Sequence, residues 1–338
     1  MNTDLSKYCA VRDELAKLVA VGRRDASPSG TLNRYYDLLR LFDITCNRSK
    51  DGCVFAVYGS PKTGKSTLFN SLMGEAVLPA CPIPTTGSII DLRKDTERSD
   101  YEVDCRRNGG ISHRNYFPDT RGVCDFLKKY ATQKSPCEKV IVTGPFPKAA
   151  SFISHRCSLR DTPGAEALLD TETRVVDDRL REDSEKTLAS LKEPCVPLFC
   201  VSARTIGQQQ DMDFYSAHFR SKCCLHVITH IDAVSTDLGD PAVTAKAERF
   251  REVFGVFPSS DCPNPIVCTG ILNRPGGDRF VNIGLQELCD EMKVFLDPSG
   301  LGARILDTAD FVLNHGIDWD DHGKKEIIFE HIRQLLHA

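Results

Sequence analysis

A glycine-rich stretch from Gly59 to Thr67 carries the residues whose types and spacing best suit chemistry. Its sequence, GSPKTGKST, fits GxxxxGK[ST] completely and lies between the apolar run Val54 to Tyr58 and the helix-like run LFNSLMG. This order of strand, glycine loop and helix is that of a phosphate-binding P-loop, where backbone N–H groups and the helix N-terminus point at phosphate. A chance match in a turn rich in Gly, Ser and Lys would not also supply the strand and the helix. The stretch therefore predicts binding of a nucleoside triphosphate.

Individual roles in this loop follow from the chemistry of each residue. Gly59 and Gly64 allow the backbone to turn, while Lys65 supplies a mobile cation for the β- and γ-phosphates. Ser66 comes directly after it, where the hydroxyl can join the coordination shell of Mg²⁺. We predict catalytic roles for Lys65 and Ser66. The predicted nucleotide contacts in this loop are Gly59, Ser60, Lys62, Thr63, Gly64, Lys65, Ser66 and Thr67.

A second phosphate-site pattern, DTPG, ends the apolar run Phe152 to Gly164. In P-loop GTPases the aspartate of DxxG ends a strand and reaches Mg²⁺ through water, while the glycine offers its N–H to the γ-phosphate. Asp161 and Gly164 occupy these positions. A lone DxxG is common by chance, but one that follows a strand downstream of a P-loop is a strong signal. We predict Asp161 as part of the metal site and Gly164 as a catalytic contact.

A third pattern concerns recognition of the nucleotide's purine base. The run Cys223 to Asp232 ends in THID, where GTPases carry [NT]KxD. Asp232 is predicted to accept hydrogen bonds from N1 and the exocyclic amine of guanine, a pairing that adenine cannot make. His230 replaces the lysine of that motif, so an ATP-using P-loop protein stays open, as does an aspartate that merely ends a strand. The predicted base contacts are Thr229, His230, Asp232, Thr269 and Gly270.

Strands and helices must alternate to position these motifs, which predicts an α/β P-loop fold with a mostly parallel sheet covered on both faces. Apolar runs predict strands over 52–58, 88–92, 138–146, 152–164, 197–203, 223–232 and 265–273, with a further edge strand over 100–105. Helical spacing predicts helices over 65–74, 120–130, 177–191, 209–219, 241–253 and 283–296. Residues 51–296 are predicted to form the nucleotide domain. Residues 1–50 and 297–338 are predicted to be helical and to pack together as a small bundle, because neither can bury its apolar stripe alone.

Composition narrows the class of protein. The 43 basic and 47 acidic residues give a formal net charge of −4. A chain without a dominant basic face is not expected to bind nucleic acid. No stretch approaches the length of a membrane-spanning helix, and the start MNTDLSKYC lacks a signal-peptide pattern, which predicts a cytoplasmic location. The 15 cysteines include no CxxC pair, so we predict reduced thiols rather than a zinc site.

The segment GSPKTGKSTLFNSLMGEAVLPACPIPTTGSII resembles the P-loop and first switch of the dynamin superfamily, in particular bacterial dynamin-like GTPases. In that family a short helix leads to LP and then to a threonine that coordinates Mg²⁺ and senses the γ-phosphate. Thr86, beside Thr85, inherits the metal and catalytic roles by position. The long interval from Thr86 to Asp161 matches the extra strands and helix that dynamins insert, rather than Ras-like or Era-like GTPases. The resemblance covers roughly residues 51 to 296.

The resemblance implies a GTPase that hydrolyses GTP to GDP and phosphate with Mg²⁺, acting as a switch or mechanochemical head that dimerises across its nucleotide face. Two departures qualify it. Where dynamins place a glutamine that orients the attacking water, this chain has Pro61, followed by Lys62, whose charge could lie near the β–γ bridge. Slow intrinsic turnover is therefore expected, and a nucleotide-binding switch that hardly hydrolyses stays open.

The second departure is the missing stalk. No long helical segment follows the predicted head, so we expect either part of a longer chain or a stand-alone head. Any attachment to a membrane is then expected to be peripheral and to run through regions or partners outside these residues.

Overall fold

The computed structural model describes most of the central part of the chain and short pieces of both ends. The described residues are 10–16, 38–39, 41–42, 45, 52–80, 87–107, 112–131, 137–164, 185–191, 193, 195–219, 224–256, 266–271, 282–297, 302, 304–305, 309, 329–330 and 332–334. Among them, no helix is both long and apolar enough to cross a bilayer.

Nine strands of the described residues form one sheet. They are β1 Cys53–Tyr58, β2 Ile89–Lys94, β3 Tyr101–Arg107, β4 Ser112–Phe117, β5 Cys137–Gly144, β6 Cys157–Asp161, β7 Val196–Ser202, β8 Leu225–Thr229 and β9 Ile266–Cys268. The helices with defined bounds are α1 Lys65–Met73, α2 Thr120–Tyr130, α3 Gln209–His218, α4 Pro241–Phe254 and α5 Leu285–Leu296, and a 3-10 turn covers Ile231–Ala233. Residues 185–191 are also helical.

The strand order is β4-β3-β5-β2-β6-β1-β7-β8-β9. From β6 to β9 every pair is parallel, and β2 is parallel to β5. The pairs β2–β6, β3–β5 and β3–β4 are antiparallel. The prediction of an α/β fold with a mostly parallel sheet is confirmed. Because β1, β6 and β8 are parallel, their carboxyl ends meet at one edge of the sheet, and each of the three sequence motifs follows one of those ends.

Glycines and capping residues set the ends of the helices beside this edge. Gly64 precedes α1 with φ 82°, and Gly74 ends it with φ 68° and an N–H directed at the carbonyls of Asn70 and Ser71. Both are left-handed conformations that glycine adopts without strain. Asp240 caps α4 by accepting a hydrogen bond from the N–H of Ala242. The bounds of α1 are thus fixed by backbone conformations that the two glycines permit.

Apolar side chains cover both faces of the sheet. One cluster includes Phe55 and Phe69. It also contains buried residues from near both chain ends, namely Leu15, Phe42, Ile305, Phe329 and Ile332. The other cluster is rich in aromatic rings, with Phe199 in contact with Tyr215, Phe219, Phe250 and Phe254. Division of the chain at 50 and 297 stays a prediction.

One strand prediction was wrong. The segment 100–105 was expected at an edge, but β3 lies between β4 and β5, and the edge of the described sheet is β4. The sequence of β4, SHRNYF, has no buried side chain. Because none of its side chains is buried, the sequence lacks the apolar alternation that identifies a half-buried strand. The strand is held in the sheet by backbone pairing with β3. Residues 177–184 of the predicted charged helix and residues 272–273 of the last predicted strand lie outside the described residues.

Candidate functional site

The loop between β1 and α1 contains three residues at positive φ. Gly59 has φ 142° and Gly64 φ 82°, and a Cβ added to Gly59 would lie 2.2 Å from the carbonyl oxygen of Cys200. Lys62 is exposed and adopts φ 64°, a region that non-glycine residues rarely enter. The loop therefore keeps a specific, partly strained backbone path, in which Gly59 leaves no room for a side chain.

Lys65 is fixed by carbonyls of its own loop. Its side chain is buried, and Nζ donates hydrogen bonds to the carbonyl oxygens of Gly59 at 2.9 Å and Ser60 at 2.8 Å. The Ser60 carbonyl also accepts a hydrogen bond from Thr63 Oγ1 at 2.8 Å. Because the ammonium is held in advance, presenting it to a phosphate costs less conformational entropy.

Ser66 and Asp161 are brought into direct contact. Ser66 Oγ donates to Asp161 Oδ2 at 2.7 Å, and the Asp161 side chain is fully buried. Parallel pairing of β1 with β6 places Val57 opposite Asp161, and Thr162 Oγ1 donates to the Val57 carbonyl at 2.6 Å. A hydroxyl and a carboxylate are hard oxygen ligands of the kind that Mg²⁺ prefers. The pair of motifs that the sequence places far apart thus forms one site.

Gly164 lies against the ring of Pro61. A Cβ added to Gly164 would lie 2.6 Å from Pro61 Cγ and 2.9 Å from the Pro61 nitrogen. The glycine of DTPG and the proline of the P-loop are therefore packed together, with no room for a larger residue at 164. Thr85 and Thr86, the predicted first-switch threonines, lie outside the described residues.

Helical residues 185–191 contact both flanks of the phosphate region. Lys186 Nζ donates to the Gly87 carbonyl at 2.9 Å, next to the start of β2. Thr187 Oγ1 donates to the carbonyl of Pro163, inside DTPG, at 3.0 Å. These two hydrogen bonds place one helix against the segment before β2 and against the loop after β6.

Thr229 and His230 join the base motif to the P-loop. Thr229 Oγ1 donates to the Thr63 carbonyl at 2.7 Å. His230 has φ 56°, its Nδ1 lies 3.1 Å from Ser202 Oγ, and its ring lies 3.4 Å from where a Cβ on Gly64 would be. Burial, aided by the charge of Arg204, lowers the pKa of His230, which keeps the imidazole neutral near pH 7. An uncharged ring therefore lies against the P-loop where GTPases place a lysine.

The loop after β9 lies against Asp232. Asp232 Oδ1 accepts a hydrogen bond from the N–H of Ile271 at 3.0 Å. Thr269 is fully buried, and its carbonyl accepts a hydrogen bond from the N–H of Ile231 at 3.0 Å. A Cβ on Gly270 would lie 2.8 Å from the backbone nitrogen of Asp232. The structure thus brings together three of the predicted base contacts, Asp232, Thr269 and Gly270.

Two polar residues of this region escaped the sequence analysis. Asn70 in α1 is buried, and its side chain bonds the backbone of Val77 and Leu78 at 2.8–3.0 Å, which holds the chain that leads to the first switch. An amide inside the apolar run LFNSLMG is a signal that could have identified it. Asp211 in α3 accepts a hydrogen bond from Ser60 Oγ. Its position within the polar run QQQDMD gives no comparable signal.

Half of this chain matches the model of a known family, and solved structures resemble it over longer ranges. A model of the dynamin family matches residues 55–224, half of the chain. A bacterial dynamin, solved as an oligomerised pair described as sensing and tethering membranes, is 16% identical with a TM-score of 0.47, and the match covers 85% of this chain and 40% of that one. Era from Aquifex aeolicus bound to GDP and aluminium fluoride is 18% identical with a TM-score of 0.42, covering 77% and 67%.

The match to the bacterial dynamin covers only part of that protein. The chain spans about 40% of the length of the bacterial dynamin it matches. No curated protein sequence matches the chain. The family model nevertheless includes most of β1, the P-loop, the DTPG motif and β7, which contain Lys65, Ser66 and Asp161 or lie beside them. The chain therefore belongs to the dynamin family and carries its GTP-binding GTPase domain.

Proposed function

We propose that this chain hydrolyses GTP to GDP and phosphate in a Mg²⁺-dependent reaction and acts as a dynamin-like switch or mechanochemical head. The observation that carries the proposal is the contact between Ser66 Oγ and Asp161 Oδ2 at 2.7 Å, beside a Lys65 ammonium held by loop carbonyls. Loop N–H groups from Gly59 to Gly64 and the Lys65 ammonium would hold the phosphates, and the N–H of Gly164 would meet the γ-phosphate.

The metal-binding part of the proposal rests on oxygen ligands. Ser66, Thr86 and Asp161 would hold Mg²⁺, Thr86 by its position in the sequence. Among the described residues no group of three or more His, Cys, Asp or Glu side chains is placed to hold a metal. A magnesium ion usually takes one or two protein ligands together with phosphate oxygens and water, so a hydroxyl and a carboxylate fit it. When bound, the ion neutralises charge on the β- and γ-phosphates.

Selection of guanine is assigned to Asp232. The Ile271 N–H bonds Oδ1 and so orients the carboxylate. In a competition assay, GTP should displace a bound fluorescent nucleotide from the protein at lower concentration than ATP does. Asp232→Asn should weaken GTP by about 1–3 kcal/mol and ATP much less, because an acceptor facing the base becomes a donor.

The matched control is Asp237→Asn, an aspartate of the same loop whose Oδ1 accepts the N–H of Gly239 at 2.9 Å. It should leave the ratio of GTP to ATP affinity unchanged. Equal losses for both purines in Asp232→Asn would make that aspartate structural. Tighter binding of ATP by the wild-type chain would favour the second candidate, an ATP-using protein, which is motivated by the neutral His230 in place of lysine.

Catalytic rate should depend on Lys62 rather than on a glutamine. Pro61 offers no amide to orient water, whereas Lys62 is exposed next to it at φ 64°. In single-turnover assays Lys62→Gln should slow hydrolysis about ten-fold or more with little change in GTP affinity, and Lys62→Arg should keep the rate. A wild-type chain that binds GTP without measurable hydrolysis, alone or at high concentration, would instead indicate a passive nucleotide switch.

Self-association completes the proposal. A site that lacks its water-orienting amide gains most from order or groups supplied by a second copy, so two heads are proposed to pair across their nucleotide faces. Light scattering should find monomers without nucleotide or with GDP, and dimers with a GTP analogue. Specific activity should rise with protein concentration. Monomers in every nucleotide state would leave a self-contained GTPase.

The ends of the chain are proposed to form a small helical bundle beside the GTPase domain. The presence of Leu15, Phe42 and Phe329 in one apolar cluster supports this arrangement. Cytoplasmic location, with any peripheral attachment to membranes through other regions or partners, remains a prediction from the sequence.

A further inference from the structure

A buried carboxylate lies directly behind the phosphate loop. Asp211, in the first turn of α3, has no exposed surface, and its Oδ1 accepts a hydrogen bond from Ser60 Oγ. Its second oxygen, Oδ2, is buried and finds no hydrogen-bond partner within the described part of the chain. Leaving a buried carboxylate oxygen unsatisfied costs free energy. Such an atom in a folded protein calls for an explanation, and a role at a functional site is one of them.

Ser60 connects Asp211 to the phosphate-binding lysine. The Ser60 hydroxyl is committed to Asp211, and the Ser60 carbonyl accepts hydrogen bonds from Lys65 Nζ and Thr63 Oγ1, both at 2.8 Å. Anchoring the side chain of Ser60 restricts rotation of its peptide unit. The direction of the carbonyl that holds the Lys65 ammonium is restricted with it.

The charges in this region agree with that connection. Burial raises the pKa of Asp211, while the hydrogen bond from the Ser60 hydroxyl, the positive charge of Lys65 and a hydrogen bond from the Ser60 backbone act in the opposite direction. Asp211 thus lies close enough to Lys65 to interact with it electrostatically, although its hydrogen bond goes to Ser60.

We propose that Asp211 is a positioning residue for nucleotide binding, which fixes the first turn of the P-loop through Ser60 so that the Ser60 carbonyl holds the Lys65 ammonium ready for phosphate. The inference rests on the proposed function only in that a nucleotide binds to this loop. Asp211 touches neither phosphate nor metal in this scheme. It acts on nucleotide affinity indirectly, through the hydrogen bond from the Ser60 hydroxyl to Asp211 and the hydrogen bond from Lys65 to the Ser60 carbonyl.

A double-mutant cycle tests the proposal. Asp211→Ala and Ser60→Ala should each weaken binding of GTP and GDP by about ten-fold, the lower end of what losing a hydrogen bond to a charged group costs. The double variant should bind no more weakly than Asp211→Ala alone, because Asp211→Ala already removes every hydrogen bond between the two residues, whereas Ser60→Ala leaves the one from the Ser60 backbone. The KM for GTP should rise as affinity is lost, and any change in the turnover number at saturating GTP should go in the same direction in both single variants, because both act through the position of Lys65.

Conservative and control variants separate positioning from a general effect on the fold. Asp211→Asn keeps an oxygen that can accept the Ser60 hydroxyl, so it should recover most of the affinity. Asp213→Ala removes a nearby aspartate of α3 whose Oδ1 accepts from Gln209 Nε2 at 2.7 Å, and it should leave affinity unchanged. Should Asp211→Ala fail to fold, Ser60→Ala and Asp211→Asn still decide the question.

Two results would contradict a positioning role for Asp211. Losses of affinity that add in the double variant, or a Ser60→Ala chain that binds GTP as tightly as wild type, would overturn the inference. Failure of the proposed function looks different: the wild-type chain itself would then bind no guanine nucleotide. If wild type prefers ATP, the same cycle measured with ATP supports or overturns the role of Asp211.

Discussion

The two halves of the sheet, on either side of β1, are held together by different forces. On the side of β7, β8 and β9 every pair is parallel, and the strands are covered by an aromatic cluster that includes Phe199, Tyr215 and Phe254. On the side of β6, β2, β5, β3 and β4 the pairing is mixed, with three antiparallel pairs and the parallel pair β2–β5. Charged side chains are buried between the strands of this second half.

The buried charges form a network around Asp91 of β2. Arg160 of β6 makes two hydrogen bonds to its carboxylate, at 2.7 and 3.1 Å, and Lys139 of β5 lies 3.2 Å from it. Glu193 approaches Arg160 Nη1 at 2.6 Å. Burial alone would raise the pKa of Asp91, but Arg160 and then Lys139 lower it below its usual value. The carboxylate therefore stays ionised inside the protein.

This difference has a structural meaning. The parallel half is built from consecutive strands whose apolar side chains pack against helices, which is sufficient to fix their order. The strand β2 instead pairs antiparallel with β6, which follows it at a distance in the sequence, and a bidentate ion pair accepts only one register. We expect the ion pair to specify that register, so removing one charge should damage this half most.

The largest effect is expected from Arg160→Met. It leaves the Asp91 carboxylate buried without its bidentate partner, with Lys139 at 3.2 Å and the half-exposed Arg93 at 4.0 Å as the remaining close cations among the described residues, which should lower the free energy of unfolding by about 3 kcal/mol. Urea denaturation measures the change. The double variant Asp91→Leu/Arg160→Met removes both charges and should recover most of the loss. If the double variant is as unstable as the single one, packing rather than charge holds β2 against β6.

A smaller, pH-dependent effect is expected in the parallel half from His226 of β8. Its ring is buried, Nε2 lies 3.0 Å from the Tyr215 hydroxyl, and burial lowers the pKa of His226 to about 3. As pH falls below about 6.5, the imidazole of His226 is therefore protonated in the unfolded chain before it is protonated in the folded protein. Stability should fall toward pH 3 by about 1.4 kcal/mol per unit, or about 2 kcal/mol at pH 5.

The variant His226→Gln isolates this contribution. Unfolding free energies of wild type and variant, measured by urea denaturation between pH 7 and pH 5, should differ in slope by that amount, since all other titrating groups are shared. Parallel pH profiles would mean that the folded protein takes up the proton as readily as the unfolded chain. The buried environment of His226 would then not be what the geometry indicates.

The comparison of the two halves also explains which features could be predicted from the sequence. Strand β1, helices α1 and α2 and the three motifs were predicted because local spacing encodes them. The edge strand β4 was missed, since its residues are not buried. The pairing of Arg160 with Asp91, 69 positions apart, depends on strand order, which no local pattern encodes. The contact of Ser60 with Asp211, 151 positions apart, is of the same kind.

The smallest expected effect comes from a matched pair of buried threonines. In the half with the buried ion pair, Thr162 Oγ1 donates to the Val57 carbonyl at 2.6 Å. In the parallel half, Thr229 Oγ1 donates to the Thr63 carbonyl at 2.7 Å. Both side chains are buried. Replacing either with valine keeps the branched shape and removes one hydroxyl, which should cost about 1 kcal/mol of unfolding free energy.

Equal losses in Thr162→Val and Thr229→Val would indicate that neutral hydrogen bonds contribute alike on both sides of β1. The difference between the halves would then lie in the ion network and in His226. Urea denaturation at pH 7 compares the two variants directly, with the unfolding slope as a check that both unfold in the same way. A loss in one variant more than about twice that in the other would contradict this view, because the surroundings of the hydroxyl, and not the hydrogen bond alone, would then set its contribution.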